Sequence, residues 1–185
     1  FRVNDPAAIA LGAEPLKAEE STNLSLGLVL QPIDRLYVTV DAYRIDIDDR
    51  IMLSENLTST AVRNFLNATV DPALGGGRYF TNAIDTKTKG IDIVAEYDTE
   101  LGNGDPFVLS ALVHFNDTEV TARHSTSSIL PASVLFPDAQ VTLVEEGQPG
   151  AHHVLGANWT HDAWNFDVRA NYFGSVAGEG FSPGR

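Results

Sequence analysis

The chain contains no cysteine. Disulfide scaffolds and cysteine-ligated zinc sites are therefore excluded. Basic residues are scarce: 12 Lys and Arg stand against 25 Asp and Glu, for a formal net charge of -13. Charge of this sign argues against nucleic acid or an anionic membrane surface as the main partner, since both need basic patches. Long hydrophobic runs are missing too. None approaches the roughly 18 residues of a transmembrane helix. No signal-peptide pattern opens the chain, which starts at Phe1 rather than Met. This suggests a mature, cut or excerpted chain. The missing helical span does not exclude a membrane, because barrel strands alternate and escape hydropathy windows.

Chemical motifs are equally sparse. Gly75-Gly76-Gly77 lacks the Lys-Ser/Thr of a phosphate cradle and reads as a flexible loop tip. No Gly-x-Ser-x-Gly elbow occurs. Asp46, Asp48 and Asp49 have the spacing that opens a calcium loop, but Ile51 stands where Gly is needed and Leu57 where the bidentate Glu belongs. A solvated strand end is expected there. His152 and His153 are adjacent, so on a strand they point to opposite faces and cannot easily share a metal. His114, His124 and His161 are scattered. No catalytic, cofactor-binding or metal site is expected, and the ligand-binding residues stay unassigned. Asn23, Asn56, Asn67, Asn116 and Asn158 begin sequons, but Asn23 and Asn158 fall within strands, a poor place for glycans.

What the chain does have is alternation. Leu24, Leu26, Leu28 and Leu30 share one face of a strand, with Asn23, Ser25, Gly27 and Gln31 on the other. Five further strands follow. Leu36, Val38, Val40 and Ala42 alternate with Tyr37, Thr39 and Asp41; past Ala42 the phase switches to Tyr43, Ile45 and Ile47. A bulge or a change of environment would explain the switch. The third strand runs roughly from Arg78 to Tyr97, with Ile91, Ile93, Ala95 and Tyr97 in phase. The fourth carries Phe107, Leu109, Ala111, Val113 and Phe115. The fifth carries Leu155, Ala157 and Trp159, and the sixth Trp164, Phe166, Val168, Ala170 and Tyr172. The opposite face holds Asn23, Ser25, Thr39, Asp41, Asp92, Glu96, His114, Asn158, Asp167, Arg169 and Asn171.

Connections alternate in length. Pro32 to Arg35, Asp98 to Asp105 and His161 to Ala163 are short. About Asp49 to Gly77 and about Asp117 to Gly150 are long, and the first has a short helical pattern at Thr60 to Leu66. Short turns on one rim and long loops on the other are the habit of outer-membrane barrels. Tyr97, Trp159 and Trp164 fall near the short-turn rim, and Phe115 and Tyr172 near the long-loop end, as two aromatic belts would. The same rings would also suit a soluble core. Two classes therefore stay open on pattern alone: a piece of a membrane barrel, or a soluble antiparallel β module that binds a small molecule or partner protein. A β-sheet enzyme such as a sugar hydrolase ranks last for want of a site.

Leu16-Lys17-Ala18-Glu19-Glu20-Ser21-Thr22-Asn23-Leu24-Ser25-Leu26-Gly27 resembles the L-K-x-E-x-S-x-N-x-x-x-G segment of TonB-dependent outer-membrane receptors. Val40 to Ile51 looks like the strand that follows in that family, and Asn82 to Asp92 like the next. The matches occur in order, and the resemblance spans about residues 5 to 176. It implies an all-β fold, an antiparallel up-and-down meander of about six strands excerpted from a transmembrane barrel of about 22 strands with a plug in its lumen. Residues 1–185 would be part of the receptor barrel, with no plug domain, taken from its C-terminal half. Both ends would fall in loops on the long-loop rim, where Arg185 would suit a trypsin-like cut. The family implies no enzyme and no cofactor. It implies energy-coupled import of a scarce nutrient such as an iron chelate, a vitamin or a glycan across the bacterial outer membrane. The partners implied are outer-membrane lipid, the nutrient ligand, and an inner-membrane coupling protein reached through the missing plug. Unpaired edge strands would favour an edge-to-edge homodimer of the fragment, or dependence on detergent.

Overall fold

The computed structural model describes residues 1–178, so Arg185 lies outside the described residues. Six strands form one sheet in the order β1-β2-β3-β4-β5-β6: β1 (Glu20–Ile33), β2 (Leu36–Leu53), β3 (Phe80–Glu100), β4 (Pro106–Arg123), β5 (Ala151–His161) and β6 (Trp164–Phe173). This is an all-β antiparallel meander, and the sheet does not close. Among the described residues four short helices lie outside it: α1 (Pro6–Ala10), α2 (Thr60–Thr69), α3 (Ala132–Leu135) and α4 (Asp138–Glu146).

The chain divides into two compact units. One comprises Asn23–Ile45, Thr88–Thr118 and the segment from Glu146 onward. It is bare sheet, and none of the fully buried hydrophobic residues among the described ones falls in it. The register shows why alternation was readable. Phe107, Leu109, Ala111 and Phe115 stand opposite Trp159, Ala157, Leu155 and Ala151. Trp159, Ala157 and Leu155 in turn oppose Phe166, Val168 and Ala170. Period-two residues on neighbouring strands share a face, so the apolar rows of β4, β5 and β6 merge into one surface.

The other unit comprises Phe1–Thr22, Asp46–Lys87 and Glu119–Glu145. It contains the helices α1 to α3, all but the last residue of α4, and the core. One cluster joins Ala7, Ala8 and Leu11 of the α1 region to Val62 and Leu66 of α2, and to Leu57, Tyr79, Leu130 and Leu135. A second sets Ala83, Ile84 and Phe136 against Met52, Val120, Val141 and Val144. The long connections are therefore folded, where the sequence suggests little order beyond one short helix. That helix is present and extends three residues past Leu66, with Ser59 as its N-cap accepting from the Val62 N–H at 3.3 Å. α1 begins at an Asp5-Pro6 pair in which Asp5 caps the Ala7 N–H at 2.8 Å. The Gly75-Gly76-Gly77 tip is tied down rather than loose, since Leu57 and Gly77 exchange two backbone hydrogen bonds of 2.9 and 3.2 Å. Gly76 has φ +130 and could not carry a Cβ, which would sit 2.4 Å from the Leu57 carbonyl oxygen.

Candidate functional site

The apolar face of the bare sheet is the first functional surface, and it is open. Leu24 and Leu26 of β1 are 70% and 77% exposed, and Trp164 and Val168 of β6 are each 69% exposed. A soluble module would turn such a face into a core and dry the tryptophans; here the face stays uncovered among the described residues. Leu36, Ala95, Tyr97, Leu109, Ala111 and Leu155 line one shallow apolar depression, which carries the face across β2 to β5.

Aromatic rings frame this face at two levels. Trp159 stacks on Phe166 with centroids 5.4 Å apart, beside Phe107 in register. At the other level His153 stacks on Tyr172 at 5.5 Å and meets Phe115 edge-on at 4.9 Å. Phe107 to Phe115 and Trp164 to Tyr172 are separations of eight residues. Eight residues of strand cover roughly 27 Å. Tilted by about 40°, they cover roughly 20 Å of depth, near the ~25 Å apolar band of an outer-membrane barrel. The Trp159 Nε1–H donates to Asp105 Oδ2 at 3.0 Å in the short β3–β4 turn. The His161 Nδ1 meets the same oxygen at 2.8 Å. Partial desolvation of Asp105 works against its charge, but hydrogen bonds from His161, Asn103 and Trp159 outweigh that and hold the carboxyl below the usual range. An aromatic body in an apolar belt with its polar edge held at a turn suits a lipid–water boundary.

The opposite face is polar, as the alternation implies. Asn158 pairs in register with Asp167, and Arg169 faces Gly156. The Asn158 and Asn165 amides exchange two hydrogen bonds of 2.9 Å. Gly27 lets the Asp41 carboxylate lie over it, where a Cβ would be 2.5 Å from Oδ1. Gly90 lets the Tyr43 ring lie over it, where a Cβ would be 2.2 Å from the ring. This explains the phase switch past Ala42. Tyr43 points to the same side as Asp41, so the parity of the strand is unchanged there. What changes is which side is apolar.

The histidines that look scattered in sequence each have a partner. His114 Nδ1 meets the Asp92 carboxylate, His124 Nε2 lies 2.9 Å from Asp85 Oδ1, and His161 meets Asp105. His152 and His153 diverge to opposite faces, stacked on Phe173 and Tyr172 respectively. Among the described residues no group of three or more His, Asp or Glu gathers into a metal-holding cluster. Asp46, Asp48 and Asp49 all lie along β2 rather than in a loop.

The three segments that carry the receptor resemblance meet at one node in the cored unit. Asn82 accepts from the Lys17 N–H with Oδ1 (2.9 Å) and donates with Nδ2 to the Lys17 and Asp49 carbonyls (3.1 and 2.6 Å). Glu19 accepts the Ile51 N–H at 2.6 Å. Asp49, with φ +55, donates its N–H to Asp85 at 2.9 Å. Desolvation works against the charge of Asp85, but the Asp49 N–H and His124 overcome it and lower its pKa. Asn82, Glu19 and Asp85 thus stitch the residue 17, 50 and 82 segments together through side chain to backbone bonds. Sequence reading found the segments but not the stitching. Its signal was a short polar residue at the start of a strand, a placement too common to single out.

No curated protein matches the chain. The family described as TonB dependent receptor-like, beta-barrel matches it over residues 2–183, nearly the whole length. An open meander with one uncovered, aromatic-belted apolar face and one polar face is what a piece of such a wall requires, and the chain belongs to the TonB-dependent receptor β-barrel family.

Proposed function

We propose that residues 1–185 form part of the barrel domain of an energy-coupled outer-membrane receptor, without its plug. The intact receptor imports a scarce nutrient such as an iron chelate, a vitamin or a glycan. The uncovered apolar face between two aromatic levels carries this reading, because water would not tolerate it and a bilayer demands it. In this reading the helical, cored unit is extracellular and captures the ligand. The polar face lines the lumen and meets the plug, which an inner-membrane coupling protein displaces. The chain contributes wall and loops, and no catalysis.

β1 and β6 are the two ends of the open sheet, so each offers an unpaired edge. Expressed alone, the chain associates edge to edge as a homodimer or depends on detergent; a monodisperse, detergent-free monomer in light scattering would count against this. The bilayer assignment is tested with the intact receptor in vesicles. Lipids spin-labelled near the headgroup quench Trp159 and Trp164 more strongly than lipids labelled at the chain end. Equal quenching by a water-soluble agent alone overturns the assignment. Energy coupling is tested separately, by nutrient uptake with and without the inner-membrane coupling protein.

A further inference from the structure

His114 and His152 face each other directly across β4 and β5. Both belong to the bare sheet, and both stand on its polar face, the face of Asn158 and Arg169. Directly opposed residues on one face have Cβ atoms about 4.5–5.5 Å apart. The His114 Nδ1 meets the Asp92 carboxylate. An ionised carboxylate only accepts, so the hydrogen sits on Nδ1, and Nε2 is the basic nitrogen of the neutral ring. His152 packs flat on Phe173, with centroids 4.3 Å apart and planes at 6°. Its Nε2 is buried and has no hydrogen-bond partner among the described residues. Orphaned buried donors are rarer than orphaned acceptors. The hydrogen of this ring therefore belongs on Nδ1, and Nε2 is again the basic nitrogen. Two imidazoles of the same tautomer thus stand on facing strands, and one of them has a lone pair that nothing uses.

We propose that His114 and His152 together bind a divalent transition-metal ion of the copper, nickel and zinc class through their Nε2 atoms. Metal–imidazole bonds of about 2.0–2.1 Å require the two nitrogens within roughly 4 Å of each other. Imidazoles on directly opposed Cβ atoms reach that separation, with the His152 ring turning about Cβ–Cγ to bring Nε2 up to the ion. Asp92 is the positioning residue. It orients the His114 ring and places negative charge behind it, the carboxylate–histidine–metal arrangement that raises a ligand's basicity. The next residues along the same face, Leu112, Val154 and Asn171, are uncharged, so no cation opposes the ion there. Two imidazoles fill two coordination positions, and no third His, Asp or Glu among the described residues completes a cluster. Water or the donors of a chelating ligand fill the rest. Nitrogen donors favour Cu²⁺ over Ni²⁺ and Zn²⁺, and Mg²⁺ and Ca²⁺ prefer oxygen. His152 and His153 cannot share an ion, but the pairing of β4 with β5 lets His152 share one with His114. The site goes beyond the receptor reading and does not rest on it.

The test adds Cu²⁺ to the purified, untagged intact receptor in detergent and reads the bound ion by electron paramagnetic resonance. The spectrum shows coupling to two imidazole nitrogens, and excess Zn²⁺ but not Mg²⁺ displaces the copper. His114→Gln and His152→Gln each leave a single coupled nitrogen. The second imidazole binds intramolecularly, so either loss weakens copper binding on the order of a hundredfold. Asp92→Asn keeps both nitrogens and weakens binding about tenfold. His153→Gln, on the opposite face, changes neither reading. Absence of coupled nitrogens in the unaltered receptor overturns the inference, and so does a spectrum that both His114→Gln and His152→Gln leave unchanged. The unaltered protein decides the first point even where a variant fails to fold. The readout does not involve uptake. Its failure therefore sinks the metal site alone, and uptake independent of the coupling protein sinks the receptor reading alone.

Discussion

Tyr79 shows how one side chain can join a loop core to its frame. It is fully buried, its N–H donates to Ser54 Oγ at 3.1 Å, and its hydroxyl donates to the Leu11 carbonyl at 3.3 Å. Burial pushes the phenol up to about 12, so it stays neutral at any working pH. Tyr79→Phe removes one neutral hydrogen bond and costs about 1 kcal/mol. Tyr79→Ala also opens a cavity and costs roughly 3–5 kcal/mol, by analogy with large aromatic truncations. Hydrogen exchange over residues 54–79 distinguishes the two, with protection nearly kept in the first and lost in the second. Asp85 gives a prediction with a definite sign. Its pKa is lowered in the folded chain, so its contribution is complete above the ordinary carboxylate value of about 3.9 and fades as pH falls through the folded value. Asp85→Asn therefore flattens the acid limb of stability, read as melting temperature against pH below about 4. An unchanged limb would show that the Asp85 bonds to Asp49 and His124 contribute nothing there.

At the level of elements, legibility followed burial on one side only. The alternation marks β6 to its ends, Trp164 to Phe173, because every second residue is apolar and the strand stays within the belted face. The alternation of β4 predicts a strand only to Asn116, and the strand runs on to Arg123. Past Asn116 the apolar phase switches from odd to even positions, with Val120 and Ala122 half-buried between exposed Asp117, Glu119, Thr121 and Arg123, and the Val120 N–H donates to Glu145. β2 likewise continues through Asp48, Asp49 and Arg50 to Leu53. The sequence reads Asp46 to Asp49 as a solvated strand end and starts the long connection at about Asp49, because both faces there are polar or mixed. The helices after Pro131 and Pro137 leave little trace in the sequence for a related reason. They have four and nine residues, too few for a periodic signal, and only contacts with Leu57, Tyr79 and Ile84 far along the chain make them stable. The Tyr43–Gly90 pair was hidden because a ring lying over a glycine on the next strand leaves no local trace. Gly90→Val puts a branched side chain where the ring sits, and either the ring or the strand must move. Assembly yield of the receptor falls for Gly90→Val and is restored in large part by adding Tyr43→Ala. A coupling of about 0.5–3 kcal/mol is expected between contacting residues, and additive losses would show that the ring yields freely.

For the whole molecule, the question is which medium each face meets, and the two faces of β1 make the sharpest comparison. Leu26 and Ser25 are neighbours with the same strand environment, both exposed, and they point opposite ways. In water their substitution by Arg would be nearly equivalent, since an exposed surface position tolerates charge within about 0.5 kcal/mol. In a barrel wall they differ sharply. Arg at position 26 places a charge in hydrocarbon, at a cost of about 2–4 kcal/mol near the midplane and less toward the interfaces. Arg at position 25 enters a polar lumen and costs little. Leu26→Arg therefore lowers the folded fraction of the intact receptor in urea-titrated vesicles, and Ser25→Arg leaves it close to the parent. The same logic fixes the scale of the effect along the strand: Leu30→Arg, close to the short turn to β2, costs less than Leu26→Arg because its head can reach the interface. Equal tolerance at positions 25 and 26 would mean that the Leu row never meets lipid. A graded loss at 26 and 30 with none at 25 follows only if this bare, coreless sheet takes its stability from the bilayer, while the loop unit carries its own core.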